Sequence, residues 1–445
     1  MKFIDLFAGL GGFHIGLGRL GHECVFSSEI KESLALLYEK NFGIRPHRDI
    51  TKARAADIPA HDILCAGFPC QPFSKAGMQK GLQDENNGGL FSEIVRILDY
   101  HNPKYFILEN VQNLAKHDNQ ETYKVMAKSL TKLGYEIQGA ILSPHEYGIP
   151  QHRQRLFIVG AKNGLQHFSW PEKTSLNQTV HSFLNSAGGS IPLEKEKIKC
   201  LDIWQELIDR LPQNAKLPSF PIWAMEFGAT YPFEDSTPFS SSSRMLGKLN
   251  GSFGISLAGM KREEKLLNLP SYARSEQKQF PTWKKHFIRS NRAFYEMHKA
   301  RIKPAVRKLK ELEVPSWQKF EWNVQGGDRN VRSYIIQFRG SGIRLKRPDF
   351  FPSLVCVSTQ IPIIGWEERY ITKQEGAKLQ SMETLKELPE TNAGTFDALG
   401  NAVNAKIVEL IAQQLIPSQK LIRVAKSNNP SILLPDKSIP ISRTA

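Results

Sequence analysis

Within its first dozen residues the chain runs an apolar stretch, Phe3-Ile4-Asp5-Leu6, straight into Phe7-Ala8-Gly9-Leu10-Gly11-Gly12, and a helical pattern follows at 12–20. A strand, a glycine turn and a helix in that order restrict the fold more than any other segment. Glycine lets the backbone approach a ligand closely, and a helix N-terminus favours negative charge. A lone turn of this kind is often only a turn, so the rest of the chain must carry the argument. The alternation continues. Short apolar runs at 2–7, 23–28, 62–66, 104–108, 137–143 and 155–160 read as strands, and 31–41, 90–100 and 120–133 read as helices. Leu34, Leu37, Tyr38 and Phe42 fall on one helix face, as packing on a sheet requires. Strands separated by crossover helices predict an α/β sheet.

A chain of 445 residues is long for one core, so two domains are expected. After Gly160 the alternation degrades. Residues 161–200 are polar, and 201–211 are amphipathic through Leu201, Trp204, Leu207, Ile208 and Leu211. Residues 216–260 are rich in Pro, Ser and Gly. Residues 283–312 read as a basic helix that Pro304 should kink or split. Short strands with glycine turns follow over 320–360, at Gly326-Gly327 and Gly340-Ser341-Gly342. Helical periodicity returns at 372–381 and 402–416, and 418–445 reads as a mobile tail.

The net charge is +15, and residues 261–350 alone hold 22 Lys and Arg against 9 Asp and Glu. This concentration points to a polyanion, nucleic acid before an anionic membrane. The cysteines Cys24, Cys65, Cys70, Cys200 and Cys356 are scattered and form no CxxC pair, so neither a disulfide framework nor a zinc site is expected. The N-terminal apolar run is too short for a signal peptide, and no run reaches membrane-spanning length, so a reducing cytoplasm is expected.

Several segments carry chemistry-bearing residues. Cys70 stands behind a proline in Gly67-Phe68-Pro69-Cys70-Gln71-Pro72-Phe73-Ser74, after the apolar run at 62–66. Glu29 ends the second strand candidate, where an acid holds ribose hydroxyls in nucleotide-binding sheets. Glu109 of Glu109-Asn110-Val111 ends the strand at 104–108, and Gln151-His152-Arg153-Gln154-Arg155 opens the strand at 155–160. Gly400-Asn401-Ala402-Val403 lies near the C-terminus. Taken singly, each has an ordinary explanation: a buried cysteine, a turn acid, a helix cap, a surface ladder.

In this order and spacing the segments resemble the motif set of the DNA cytosine-5 methyltransferases of the prokaryotic restriction-modification type. The resemblance implies a Rossmann-like S-adenosylmethionine-dependent sheet with a second, smaller target-recognition domain. The catalytic domain would be discontinuous, 1–165 plus 369–417, with 166–368 recognising the target. S-adenosylmethionine, leaving as S-adenosylhomocysteine, would bind Phe7, Gly9, Leu10, Gly11, Gly12, Glu29, Ile30, Asp49, Ile50, Pro69, Asn401, Ala402 and Val403. Cys70 would attack cytosine C6, Glu109 would partner ring N3, and Arg153 and Arg155 would orient the base. A thiolate is needed for that attack, and a carboxyl that gives up a proton there needs a raised pKa.

In the family the loop at 71–90 closes over flipped DNA, so Gln71, Ser74 and Lys80 are expected to touch it. Here the loop reads Asp84-Glu85-Asn86-Asn87-Gly88-Gly89 where the family carries an Arg-Gly pair, and that arginine's phosphate contact is not matched. Arg344-Leu345-Lys346-Arg347-Pro348 also resembles family scaffold. Base-edge contacts are expected among Arg329, Asn330, Arg332, Arg339, Ser341 and Arg344, since Arg suits guanine and Asn suits adenine. The partner expected is duplex DNA bound by a monomer, with a cognate restriction endonuclease acting on the same site. With no regulatory domain ahead of the core, a prokaryotic or phage modification enzyme is expected. The rivals are an RNA cytosine-5 methyltransferase and a catalytically silent sequence-specific DNA-binding protein.

Overall fold

The computed structural model describes residues 1–69, 89–174, 179–184 and 189–417. Cys70, Gln71, Ser74 and Lys80 lie outside the described residues, as does the segment read as a tail. The N-terminal strands are β1 (Lys2–Leu6), β2 (Glu23–Ser28), β3 (Ile63–Gly67), β4 (Tyr105–Val111), β5 (Glu136–Leu142), the short β6 (Gln151–His152) and β7 (Arg155–Ala161). Six of them form one sheet in the order β2-β1-β3-β4-β7-β5. β1 pairs in parallel with β2 and β3, and β3 with β4, while β7 runs antiparallel to both β4 and β5. Strand order reverses at β1, so the crevice beyond its C-terminal end is where such sheets bind ligands. The glycine turn sits there.

The central strand β3 is wholly apolar and β7 is apolar after Arg155, because both faces of the sheet are covered. Helices Leu90–His101 and Glu121–Lys132 bury Phe91, Ile94, Leu98, Met126 and Leu130 on one side. Gly12–Gly18 and the C-terminal helix Ala405–Leu415 bury Phe13, Leu17, Ile407, Val408 and Ile411 on the other. The chain therefore returns from its far end to complete the first sheet. Two glycines permit that return. A Cβ on Gly12 would stand 2.2 Å from the Val403 carbonyl oxygen, and one on Gly16 would stand 2.7 Å from the Ala405 oxygen. Both obstacles are backbone and cannot swing aside. Gly12→Ala is expected to destabilise the fold by about 1–3 kcal/mol through overpacking, read as a lower urea midpoint.

The second sheet comprises β8 (Ile222–Trp223), β9 (Lys319–Glu321), β10 (Ile335–Arg339), β11 (Gly342–Lys346), β13 (Ile363–Ile364) and β14 (Arg369–Tyr370), in the order β14-β13-β10-β11-β9-β8. The short β12 (Phe351–Pro352) leaves it to pair with β6. One face of this sheet packs Phe320, Ile336, Phe338, Ile343 and Leu345 against Trp204, Leu207, Ile302 and Leu309 of helices Lys195–Asp209 and Thr282–Lys310. The opposite face carries Lys319, Glu321, Gln337, Arg339, Arg344 and Lys346, beside the buried Ile335 and Ile364, which belong to another apolar cluster.

The helix Thr282–Lys310 runs unbroken through Pro304, contrary to the expected kink or split. Pro304 is exposed, while Ile302, Ala305, Val306 and Leu309 are buried on both sides of it. Burial of those four side chains offsets the backbone hydrogen bond that proline cannot donate. The helix read over 402–416 is present as Ala405–Leu415, capped by Asn404 through Lys406 and Ile407 N–H, and a further helix, Asn392–Asn401, precedes it. No helix among the described residues is long and apolar enough to cross a membrane.

Candidate active site

A cavity of about 420 Å³ opens at the C-terminal ends of β1, β2, β3 and β4. Phe7, Gly9, Glu29, Ile30, Asp49, Ile50 and Pro69 line one part of it, and Glu109, Arg153 and Arg155 another. Asn401 reaches it from the C-terminal segment.

Glu29 is fixed by backbone amides. One carboxylate oxygen accepts from Gly9 N–H at 2.9 Å and the other from Lys31 N–H at 2.8 Å. The glycine turn and the acid after β2 are thus one unit, separated by 20 residues in sequence. Asp49 accepts from the backbone N–H and hydroxyl of Thr51, at 3.1 and 2.7 Å, and the Thr51 hydroxyl is the main cause of its lowered pKa. It therefore stands ionised beside Ile50. Ile30 is 67% exposed, an apolar side chain with a face open at the cavity wall. Two acids that accept hydrogen bonds and an apolar face suit a nucleoside, its hydroxyls and amino group meeting carboxylates.

Not every glycine of the turn faces this space. Gly9 has nothing within 4 Å of its Cβ position, whereas Gly11 is packed under the Phe42 ring and Gly12 against Val403. Leu10 is buried in the core. Ala402 and Val403 are likewise buried, and none of these five lines the cavity. They build its wall, because a strand-to-helix turn offers only its outermost backbone to a ligand.

At the other end, register puts Gly67 of β3 beside Glu109 of β4. The side-chain amide of Asn110 donates to the Phe68 carbonyl at 2.9 Å, tying the start of the Pro69 turn to the strand that carries Glu109. Glu109 is 7% exposed, and Arg155 Nε lies 3.2 Å from its Oε1. Burial raises the Glu109 pKa, and Arg155 and then Arg153 pull it back only in part. A carboxyl so placed holds its proton to higher pH than an ordinary glutamate.

Arg153 does more structural work than the sequence reading assigned it. Its guanidinium donates to Ser353 Oγ, Leu354 O, Gly400 O and Ala402 O at 3.2, 3.1, 2.9 and 2.9 Å. It is 2% exposed, and burial brings its pKa down to about 9. With its terminal nitrogens committed, it clamps two distant segments, 353–354 and 400–402, at the cavity. Arg153→Ala is expected to destabilise the protein by about 2–5 kcal/mol, since it orphans buried acceptors. Urea unfolding would register that loss.

Arg329, Asn330 and Arg332 are also tied into the scaffold. Arg329 donates to Pro212 O at 2.8 Å, the Asn330 side chain caps Arg332 N–H, and Arg332 pairs with Asp202 and Glu368 at 2.7 and 2.6 Å. These partners engage Arg332 and the Asn330 side-chain oxygen, whereas Arg329 Nε and Nη2 are buried with no hydrogen-bond partner among the described residues. Arg339 and Arg344 instead lie on the polar sheet face near Glu321, and Ser341 is exposed at the β10–β11 turn.

The chain matches the C-5 cytosine-specific DNA methylase family model over residues 1–417. It belongs to that family.

The type II methyltransferase M.HhaI of Haemophilus parahaemolyticus is 45% identical over 186 residues, covering 41% of this chain and 57% of that protein. M.AluI of Cellulosimicrobium cellulans is 29% identical over 488 aligned positions, covering 93% of this chain and 91% of that protein. An E. coli crystal structure, described as a DNA modification methyltransferase encoded within a prophage, shares the fold. It has a TM-score of 0.51 at 18% identity and covers 93% of this chain and 98% of its own. The S-adenosylmethionine-type α/β fold expected for such a family member is therefore the one observed. Ser28, Lys31, Arg48 and Leu90 also line the cavity and were not singled out in the sequence, and Asn110, quoted there only as a neighbour of Glu109, lines it too. Each adjoins a motif residue in chain or register, which is the only signal that could have found them.

Proposed function

We propose that this protein transfers the methyl group of S-adenosylmethionine to C5 of cytosine within a specific duplex DNA sequence. The observation that carries the reading is a single cavity joining a nucleoside-type site, Glu29 with Asp49, to a buried Glu109–Arg155 pair. Glu29 would hold ribose hydroxyls, Asp49 the adenine amino group, and Ile30 and Ile50 the apolar faces. S-adenosylmethionine, when bound, supplies an electrophilic methyl group.

The cytosine ring needs activation first, because C5 is a weak nucleophile. Cys70, one residue past the described Pro69, would add as thiolate to C6. Glu109 would give its proton to N3, so that electron density collects at C5 without a full negative charge on the ring. Arg155 holds Glu109 and would face the base. After methyl transfer a water or hydroxide would take the C5 proton, the Cys70 thiolate would leave C6, and N3 would return its proton to Glu109.

A base inside a duplex cannot reach such a cavity, so it would be flipped out at roughly a few kcal/mol, offset by binding elsewhere. Residues 166–368, which hold most of the net positive charge, would supply that binding, and 1–165 with 369–417 would carry the chemistry. A monomer suffices for one strand, and a cognate endonuclease and a cytoplasmic setting fit the reading. The experiment is transfer of labelled methyl to unmethylated genomic DNA, followed by bisulfite sequencing. Label at cytosine C5 in one short sequence context is the expected result. Incorporation into RNA alone, or none by a folded protein that binds cofactor, would overturn the reading.

A further inference from the structure

The polar face of the second sheet holds a row of donors and acceptors that the fold does not use up. Register places Gln337 of β10 opposite Arg344 of β11, and Arg344 opposite Glu321 of β9. Their alternate neighbours Phe338, Ile343 and Phe320 point into the helix-covered core, so these three share the other face. By the same alternation Arg339, Lys346 and Lys319 stand with them, and Glu321 is the one acid among the six.

This face is linked to the cavity wall through two short chains of contacts. Lys346 faces His152, whose pKa is lowered by burial first and by the charge of Lys346 next; His152 stacks on Phe350 beside the β6–β12 pairing that leads to Arg153. From the other side, Gln337 donates to Gln360 O at 3.2 Å. The segment before Gln360 runs against Gly400, where an added Cβ would meet Val355 C at 2.8 Å and Cys356 N at 2.9 Å. Gly400 lines the cavity.

Within the row, Arg344 donates its Nε to Glu321 Oε2 at 2.6 Å. Its two terminal nitrogens have no partner among the described residues, and its side chain is one-third exposed. Asn323 Nδ2 at 3.4 Å and Arg339 Nη1 at 3.6 Å approach the same Glu321 oxygen, which leaves Oε1 unengaged. A carboxylate gripping Nε fixes the plane of a guanidinium while its terminal N–H groups stay outward.

We propose that Arg344 and Glu321 together read one G·C base pair of the DNA site in the major groove. Arg344 donates its terminal N–H groups to guanine O6 and N7, and Glu321 Oε1 accepts from the N4 amino group of the paired cytosine. The proposal rests on the reading of the protein as a duplex-DNA methyltransferase. The match is chemical: a G·C pair presents two acceptors beside one donor on its major-groove edge, and the residue pair presents two donors beside one acceptor. A thymine in place of that cytosine would set its O4 acceptor against the carboxylate. A phosphate would attract Arg344 but be repelled by Glu321, so the acid favours a base edge over the backbone. Glu321 is 8% exposed and the Arg344 side chain one-third exposed, so the pair stands at the edge of the surface with two donors and one acceptor unpaired among the described residues.

The test is methylation of a duplex pool randomised around the target cytosine, read by bisulfite sequencing, for wild type, Glu321→Gln, Arg344→Ala and Arg344→Lys. Melting temperature and cofactor affinity are measured in parallel, and Arg344→Lys serves if the alanine variant does not fold. The expected result is that all variants lose preference at the same single G·C position, by roughly 5- to 150-fold, and keep the rest of the motif. A uniform fall across all sequences with a shallower salt dependence would assign the pair to phosphate and overturn the proposal. A motif that every variant leaves intact would overturn it as well. A wild-type protein that marks no duplex in the pool would overturn the methylation reading, and the base-pair assignment with it.

Discussion

A Cys70→Ser protein is expected to bind cofactor and duplex DNA with wild-type affinity while methyl transfer falls by about 10⁴-fold or more. The reason is the order of events at the base. C5 becomes nucleophilic only after a group adds at C6, and a serine hydroxyl near neutral pH is almost wholly protonated where a thiol is partly ionised. In the proposed function binding depends on other groups: Glu29, Asp49 and Ile50 for the nucleoside, and the basic second region for the duplex. The measurement is single-turnover transfer of labelled methyl beside a salt titration of DNA affinity. Turnover near the wild-type rate would remove the covalent mechanism. Loss of DNA binding in step with turnover would make Cys70 a structural residue.

Glu109→Gln is expected to lower the transfer rate by about 10²–10⁴-fold, since an amide holds a hydrogen bond to N3 but cannot give up a proton. The same change has an opposite effect on stability, and its sign follows from the raised pKa. Burial, partly countered by Arg155 and Arg153, lifts the folded-state value above that of the unfolded chain. The folded protein therefore binds the proton more tightly. The stability from this group is fully present below the unfolded pKa, near 4.3 for an ordinary glutamate. It is lost as pH rises through the higher folded value. Above that value the ionised, buried carboxylate is a net burden. Glu109→Gln should thus unfold at a higher temperature than wild type at pH 8, and the difference should vanish toward pH 4. Wild-type activity should decline on the alkaline side as Glu109 loses its proton. A variant less stable than wild type at pH 8 would mean that the Arg155 pairing outweighs burial.

The two predictions lean on different sources. Cys70 was singled out because a proline and a cysteine follow an apolar run, and because four other segments share its spacing with one family. Glu109 was legible as a strand-end acid, but its burial and its pairing with Arg155 come from β4 and β7 lying antiparallel. Strand and helix positions in the first 165 residues came through because both sheet faces are covered, so apolar runs and helical periodicity are strong there. The second region was harder to read. Its strands are two to five residues long, too short for alternation to stand out, and Pro304 misled because helix continuity was decided by its buried neighbours.

The sequence by itself determined the family and the α/β class, and it singled out the motif residues and the excess of positive charge, since these depend on residue type and order along the chain. Only the tertiary structure decided which motif residues face the cavity. Gly9 and Gly12 read alike in sequence, yet one opens onto a ligand-sized space and the other admits a backbone carbonyl from nearly 400 residues away. Arg153 and Arg155 also read alike, yet one is consumed by four acceptors contributed by distant segments and the other pairs with Glu109. The physical reason is the same in both cases. A donor, a carboxylate or a space acquires its role from whatever the fold brings within hydrogen-bond or van der Waals distance, and local sequence carries no record of partners that arrive from far along the chain.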